Sequence, residues 1–451
     1  MLYLSGNQIV IIVLKKTPVE ILEVLQREIF SRFLQDKFKM KSKNFTRDRK
    51  QSFSGTIVFM INFLTKSLSL EIVNFVAHLK EKLGTGQQAF TKSAFVQARK
   101  KISPEVFKYL VQRLAEEFYT DNSNVASFLE GFRVLAVDGS RITLPITKEL
   151  EGLYGKTTNQ TGTSIVQARA SVLYDLANNL AIDGVLANIG LGERELALRH
   201  LEHCKNGDLI IYDRGYPSYD FIYGHYEKGL AFVMRAKSDF SNVTKSFIQS
   251  GKTSQTVEIL PGKNMDLKGK AYHKNTQLKV RLLRIELPGG ETELLITSLT
   301  DSKKHKYAVF KELYFRRWKI ETYYDELKNK LKVEHFSGYS DQCILQDFYA
   351  AIFVSNLQSL IVSEVNQELK QNGKGMYLYK VNTALSYGFM KDRVLTVFLG
   401  NGDMGEVINE LKGLLRNNLI PIRPGRSNPR KVGKYRNRIR PKVTKNQKDA
   451  I

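Results

Sequence analysis

Apolar positions in the first 125 residues recur at three- and four-residue intervals. Ile21, Leu22, Leu25, Ile29, Phe30 and Phe33 line one face of a helix that Pro18 opens and that runs through Leu34. Similar patterns cover Ser54 to Leu64 and Leu70 to Leu83. Thr91 is a capping residue type ahead of a short basic helix carrying Lys92, Arg99, Lys100 and Lys101. Ser103-Pro104 starts a further helix with proline at its first position. Residues 1–125 therefore read as a helical N-terminal domain.

At Arg133 the period changes. RVLAVDGS is a short apolar strand ending in a turn. ARASVLYD (168–175) and LAIDGVLA (180–187) form two strands joined around Asn178-Asn179. GERELALRHLEHC (192–204) is helical; DLIIYDRGYP (208–217) is a strand running into Asp-Arg-Gly, and LAFVMRAK (230–237) is another buried strand. This order predicts an α/β fold, a mixed sheet flanked by helices. From about 238 to 300 the chain turns β-rich and polar, as an inserted β-subdomain would. A long helical stretch, His305 to Lys332, follows, and more helices run to about Leu415. The expected division is a helical domain 1–125, a core of 126–237 and 301–345, an insertion 238–300, a helical region 346–420 and a tail 421–451.

Charge changes the picture. The 451 residues hold 69 Lys and Arg against 45 Asp and Glu, a formal net charge of +24. Such an excess costs self-repulsion and points to a polyanionic partner, nucleic acid first and an anionic membrane second. The tail from Pro421 carries eleven Lys and Arg against Asp449 alone, which suits DNA contact better than an idle arm. A membrane role is not expected. The run Ile9 to Leu14 is far short of the roughly 20 residues that span a bilayer, and Lys15-Lys16 ends it without a small-residue cleavage site. Tyr349 to Val365 is interrupted by Ser355, Asn356, Gln358 and Ser359 and reads as a buried helix. Cys204 and Cys343 are the two cysteines, so no disulfide framework is implied, and a cytoplasmic location is expected.

Phosphodiester chemistry on DNA needs an activated oxygen nucleophile and a charge sink for the leaving oxygen. Two divalent ions about 4 Å apart supply both, and carboxylates are their preferred ligands. Asp138 follows the strand RVLAV, and Asp213 follows LIIY. An acid after four or five apolar residues is held at the rim of a rigid sheet, where open α/β sheets place their sites. Each could equally cap a turn. The third element is the helix YFRRWKIETYYDELKNK. At about 100° per residue, Tyr314, Arg317, Glu321 and Lys328 fall within a stripe about 60° wide. One carboxylate then stands among two cations and a phenol, although an Arg317–Glu321 ion pair on a solvated helix has the same spacing.

The spacing Tyr314-x2-Arg317-x3-Glu321-x6-Lys328 resembles the Tyr-Arg-Glu-Lys signature of DDE transposases of the "insertion sequence four" family. LAVDGSRITLP around Asp138 and IIYDRGYPSYDFI around Asp213 resemble that family's two Asp motifs, and the similarity runs from about residue 90 to 440. The resemblance implies an RNase H-like core with a β-rich insertion between the second Asp and the Glu, and a helical N-terminal domain that binds DNA. It implies that Asp138, Asp213 and Glu321 bind two Mg²⁺ ions, with Mn²⁺ able to substitute. Tyr314, Arg317 and Lys328 are then expected on DNA phosphates near the element's end. Double-stranded DNA, both transposon ends and target, is the expected partner, and a homodimer the expected synaptic assembly, in a bacterial, nucleoid-associated protein. Some relatives cut the second strand through a hairpin, with a base flipped onto an aromatic ring. Those relatives carry a tryptophan on the insertion, and this chain has none there. Its single tryptophan, Trp318, matches a second aromatic position and stands either for base stacking or for core packing; Tyr272 is a substitute for the missing ring.

Lesser signals have plainer readings. His200, His203 and Cys204 have the look of a zinc cluster but fit one helix face better. Gly190-x-Gly192 before a helix is a lone, weak match to a phosphate loop. The expected function is cut-and-paste transposition by metal-dependent hydrolysis and strand transfer. The rivals are a catalytically inactive, transposase-derived DNA-binding regulator and an RNase H-like nuclease without strand transfer.

Overall fold

The computed structural model describes residues 16–423 apart from 48–49, 63, 65, 84–88, 121–127, 159–161, 163, 287–290 and 373–377. Most of the basic tail thus lies outside the described residues. The chain divides into two compact units: a sheet unit, Ala126–Ser140 with Arg169–Tyr324, and a helical unit made of the remainder.

Nine strands are introduced in chain order: β1 Arg133–Thr143, β2 Lys156–Thr158, β3 Ser164–Asp175, β4 Leu180–Asn188, β5 Asp208–Tyr212, β6 Ala231–Ala236, β7 Ser254–Ile259, β8 Leu278–Glu286 and β9 Thr292–Thr297. They pair in the order β4-β3-β1-β5-β6-β9-β8-β7, and β2 pairs with the start of β3, both of which belong to the helical unit. β1 pairs parallel with β5, and β5 with β6. The pairs β6–β9, β9–β8 and β8–β7 are antiparallel. The sheet is therefore mixed, as the sequence predicts.

The reason lies in the connections. β3 turns into β4 through Leu176–Asn179, with Asn179 at φ 57°, a left-handed conformation that asparagine tolerates well. The parallel neighbours need crossovers instead. The helix Glu193–His200 leads from β4 to β5, and Tyr219–Glu227 leads from β5 to β6. The central strands are apolar throughout, Val134–Val137 and Leu209–Tyr212 being fully buried, as strands covered on both faces require. The β-rich stretch 238–300 does not stand as a sheet of its own: its β9, β8 and β7 extend the core sheet from the edge of β6.

Two expectations are corrected here, and a weak signal takes its plain reading. His305 to Lys332 is not one helix. Helices Tyr307–Phe315 and Trp318–Asp325 are joined by a tightened turn in which Arg317, Lys319 and Ile320 bond three residues back, and a π-helical turn, Glu326–Lys330, follows in the helical unit. Tyr272 is buried; its hydroxyl donates to Asp220 at 2.5 Å and its ring packs against Tyr219 and Tyr223, so it offers no open face for a base. Gly190–Gly192 forms the turn into the Glu193 helix, where Gly190 N–H donates to Asn188.

The helical unit has its own core. The predicted Pro18–Leu34 helix breaks at Phe30: Pro18–Ile29 ends there, and the Ser31 hydroxyl caps Arg32–Phe38 by accepting from Leu34 N–H. Thr91 caps Lys92–Arg99 as predicted. Arg99 does not face a partner from that helix. It is buried and bonds Gln346, Ser337 and Asp347. The 32-residue helix Asp341–Asn372 is long and apolar enough to cross a membrane, but 78% of its apolar window is buried inside the protein. Its polar Gln358 is paired within the core to Ser386.

Candidate active site

The parallel register aligns the two aspartates. Leu135 pairs with Ile210 and Ala136 with Ile211, so continuing two residues brings Asp138 level with Asp213 on the adjacent strand. Strands lie about 4.8 Å apart, so two carboxylates here are held on rigid backbone at one end of the sheet. β6 continues the row. Its pairing of Met234 with Tyr212 brings Arg235 level with Asp213, and the Arg235 guanidinium lies 3.9 Å from that carboxylate while pairing with Glu293 at 3.0 Å.

Glu321 arrives on the Trp318–Asp325 helix. Two residues anchor that helix to the sheet: the Tyr324 hydroxyl donates to the Asp138 carbonyl at 2.9 Å, and the Tyr323 ring stacks on Tyr174. Tyr324 lies three residues after Glu321 and so shares its face. Arg317 then links the acids. Its guanidinium donates to Glu321 at 2.8 Å and lies 3.8 Å from Asp138. Tyr314 donates its hydroxyl to Asp213 at 3.2 Å. The Arg317–Glu321 ion pair that the plainer reading of the helix offered is present, and it lies beside Asp138. The tightened turn at 316–320 breaks the uniform helical rotation, yet Tyr314, Arg317 and Glu321 still meet.

Electrostatics follows from this crowding. Burial pushes the Asp138 carboxyl up to about 6; the Gly139 amide and Arg317 oppose the rise, and Glu321 and Asp213 add to it. Burial also pushes the Tyr314 phenol well up. Burial alone lowers the pKa of Arg317, but Tyr314, Asp213 and Glu321 outweigh it and hold the guanidinium more firmly charged. With 4% of its surface exposed, Arg317 acts as the internal counter-charge of the acids.

The remaining predicted residues are placed differently. Trp318 is 49% exposed with the Arg317 guanidinium over its ring, so it is not core packing. Lys328 belongs to the helical unit, on the π-helical turn, and donates to the Arg141 carbonyl at 2.7 Å. His200 is fully buried between Asp183 and Ser171, at 2.7 and 2.9 Å. That row has the order of a hydrolase relay, but burial keeps substrate from it. Arg235 and Glu193 were missed by sequence reasoning. A parallel register assumed for LIIY and AFVMR would have found Arg235.

Three carboxylates offer the hard oxygens that a divalent ion prefers. Among the described residues, no three His, Cys, Asp or Glu side chains close around one point at ligand distance.

A family model for the transposase DDE domain matches residues 130–357, half of the chain and all the acids above. The chain belongs to the DDE transposases. It is 22% identical over 348 residues to transposase InsG for insertion sequence element IS4 of Escherichia coli (strain K12), covering 75% of this chain and 76% of InsG. Over 149 residues it is 26% identical to the putative transposase y4zB of Sinorhizobium fredii (strain NBRC 101917 / NGR234), covering 33% of this chain and 41% of that one. Among solved structures it is similar to the piggyBac transposase in its synaptic complex with hairpin DNA, at 10% identity and TM-score 0.41, over 90% of this chain and 87% of that one. The expected family and the mixed α/β fold with flanking helices are both borne out.

Proposed function

We propose that this transposase excises and inserts its own element by hydrolysis and strand transfer at Asp138, Asp213 and Glu321. The observation that carries the reading is their convergence: the β1–β5 register sets the aspartates side by side, and Arg317 bonds Glu321 while lying against Asp138. The three acids would hold Mg²⁺ or Mn²⁺, which when bound activates the attacking oxygen and neutralises the leaving one.

The chain's own residues do the rest. The strand end fixes the Asp138 carboxylate, of which a fifth stays open to solvent. Arg317, Tyr314 and Arg235 present a guanidinium, a phenol and a second guanidinium beside the acids, the groups that grip phosphate oxygens. Arg317 can hold a scissile phosphate only by loosening Asp138 or Glu321, so binding DNA and charging the site are coupled. In the first step a water oxygen bonds to phosphorus, the P–O3′ bond breaks and a 3′-OH is freed. In the second that 3′-OH attacks a target phosphodiester and displaces its 3′ oxygen, so bond number is conserved. Trp318, half exposed next to Arg317, is placed to stack a flipped base. The helical residues 1–125, Lys328 and the basic tail supply further phosphate contacts, the core of 126–237 and 301–345 supplies the chemistry, and the synaptic complex is a homodimer.

A second reading, a DNA-binding regulator without catalysis, draws on the absence of a closed three-ligand group among the described residues. Incubating the protein with Mg²⁺, pre-cut end fragments and a supercoiled target plasmid tests the proposal. Joined products are expected; nicked plasmid without joining indicates a plain nuclease, and unaltered DNA indicates the regulator.

A further inference from the structure

Glu193 is the first residue of its helix, where an acid usually serves the helix dipole. Its side chain turns to Arg169, whose guanidinium donates to it at 2.6 Å and to the Ile189 carbonyl at 3.2 Å. From that anchor the carboxyl reaches both aspartate turns. A Cβ placed on Gly139, the residue after Asp138, meets the Glu193 side chain at 3.3 Å, and one on Gly215, two residues after Asp213, meets its carboxylate at 3.8 Å. The glycine in each Asp motif thus lies against one and the same side chain, tightly at Gly139 and at ordinary contact distance at Gly215. That side chain is 44% exposed, so solvent and ions reach it.

A second observation points the same way. Tyr216 is 1% exposed, and its hydroxyl has no hydrogen-bond partner among the described residues. A phenol buried without an acceptor costs about 1–3 kcal/mol, so such a group normally awaits one. Burial pushes its ionisation well up, and the acids that add to the rise are Asp138, Glu193 and Asp213 in that order. The same Glu193 acts on Tyr324, the anchor of the Asp138 strand end.

We infer that Glu193 is a fourth carboxylate of the active site, a positioning residue for the divalent cation held at Asp138 and Asp213, with Arg169 fixing its place. The inference rests on the reading of those two aspartates as metal ligands. Outer carboxylates that orient a metal site typically contribute about 10- to 100-fold in affinity. Glu193→Gln keeps size and removes charge; Glu193→Asp keeps charge and withdraws it by one methylene.

Mn²⁺ binding to the full chain without DNA, followed by the resonance signal of free Mn²⁺, separates the cases, with thermal melting in EDTA as the check on folding. Glu193→Gln should weaken Mn²⁺ about tenfold or more with its melting temperature unchanged, and Glu193→Asp should lie between it and the wild type. Asp138→Asn serves as the reference. Wild-type Mn²⁺ affinity in Glu193→Gln, with Asp138→Asn impaired, overturns the role of Glu193 and leaves the metal reading standing. Unimpaired Asp138→Asn overturns both. Should Glu193→Gln fail to fold, wild-type affinity in Glu193→Asp overturns the inference.

Discussion

Replacing Asp138 with asparagine should make the metal-free protein more stable while removing its activity. Burial, with Glu321 and Asp213 adding to it, pushes the Asp138 carboxyl from 3.8 to about 6. The folded state therefore holds this proton more tightly than the unfolded chain does. Stability from this group is full below 3.8, falls as pH rises towards 6 and is flat above. Two pKa units at 1.36 kcal/mol each place the cost of the ionised form near 3 kcal/mol. Asparagine removes that charge and keeps an oxygen to accept the Gly139 amide, now at 2.9 Å. Arg317's attraction is already contained in that figure, and solvent reaching the Asp138 side chain, 20% exposed, trims the net gain to about 2 kcal/mol. For a unit of this size that is a melting shift of about 4–8 °C. Thermal unfolding by circular dichroism in EDTA at pH 8 and pH 4.5 measures it. The gain should be full at pH 8 and should fall below about 1 kcal/mol at pH 4.5, where the wild-type carboxyl is largely protonated in the fold. An Asp138→Asn protein no more stable than wild type at pH 8, or equally stabilised at both pH values, refutes the reasoning.

Arg317→Ala should lower the cleavage rate at least tenfold while end affinity in a gel shift changes less than threefold, because the guanidinium faces the acids and is buried away from an outer binding surface; equal losses in both contradict this. His200→Ala should destabilise the sheet unit by about 1–3 kcal/mol by leaving Asp183 and Ser171 without their buried partner, with cleavage at low temperature retained; a denaturant titration alongside a cleavage assay checks it. Deleting residues after 423 should weaken DNA binding and flatten its log–log salt dependence by about 0.9 for each phosphate the protein no longer neutralises; an unchanged slope shows that the tail does not bind phosphates.

Much of the sheet unit was legible because its central strands are short apolar runs between turn residues, and an acid at the end of such a run has nowhere to go but the rim. The Tyr314, Arg317 and Glu321 spacing was equally legible, since the interval of four between Arg317 and Glu321 survives the tightened turn at 316–320. What was not legible depends on tertiary context. The break at Phe30 needed Ser31 to be recognised as a cap inside an otherwise continuous apolar stripe. The β-rich stretch reads as a separate subdomain because alternation reports strand formation and not strand partners, and β9 pairs with β6 some sixty residues before it. Arg99 reads as part of a basic surface because charge in sequence does not reveal a part-buried Asp347 that lies 248 residues further on. Glu193 was invisible for the same reason: a helix-opening glutamate is ordinary until the two glycines it passes are seen in space.

The central claim is that three acids form one catalytic centre. Its most direct test is cleavage of a radiolabelled transposon end in Mg²⁺ by the wild type and by Asp138→Ala, Asp213→Ala and Glu321→Ala, each matched for end binding in the same buffer. Each variant should bind the end to within a few fold of the wild type, since most DNA affinity comes from cations, and none should nick it. Near wild-type nicking by any one of the three removes that residue from the centre and contradicts the account.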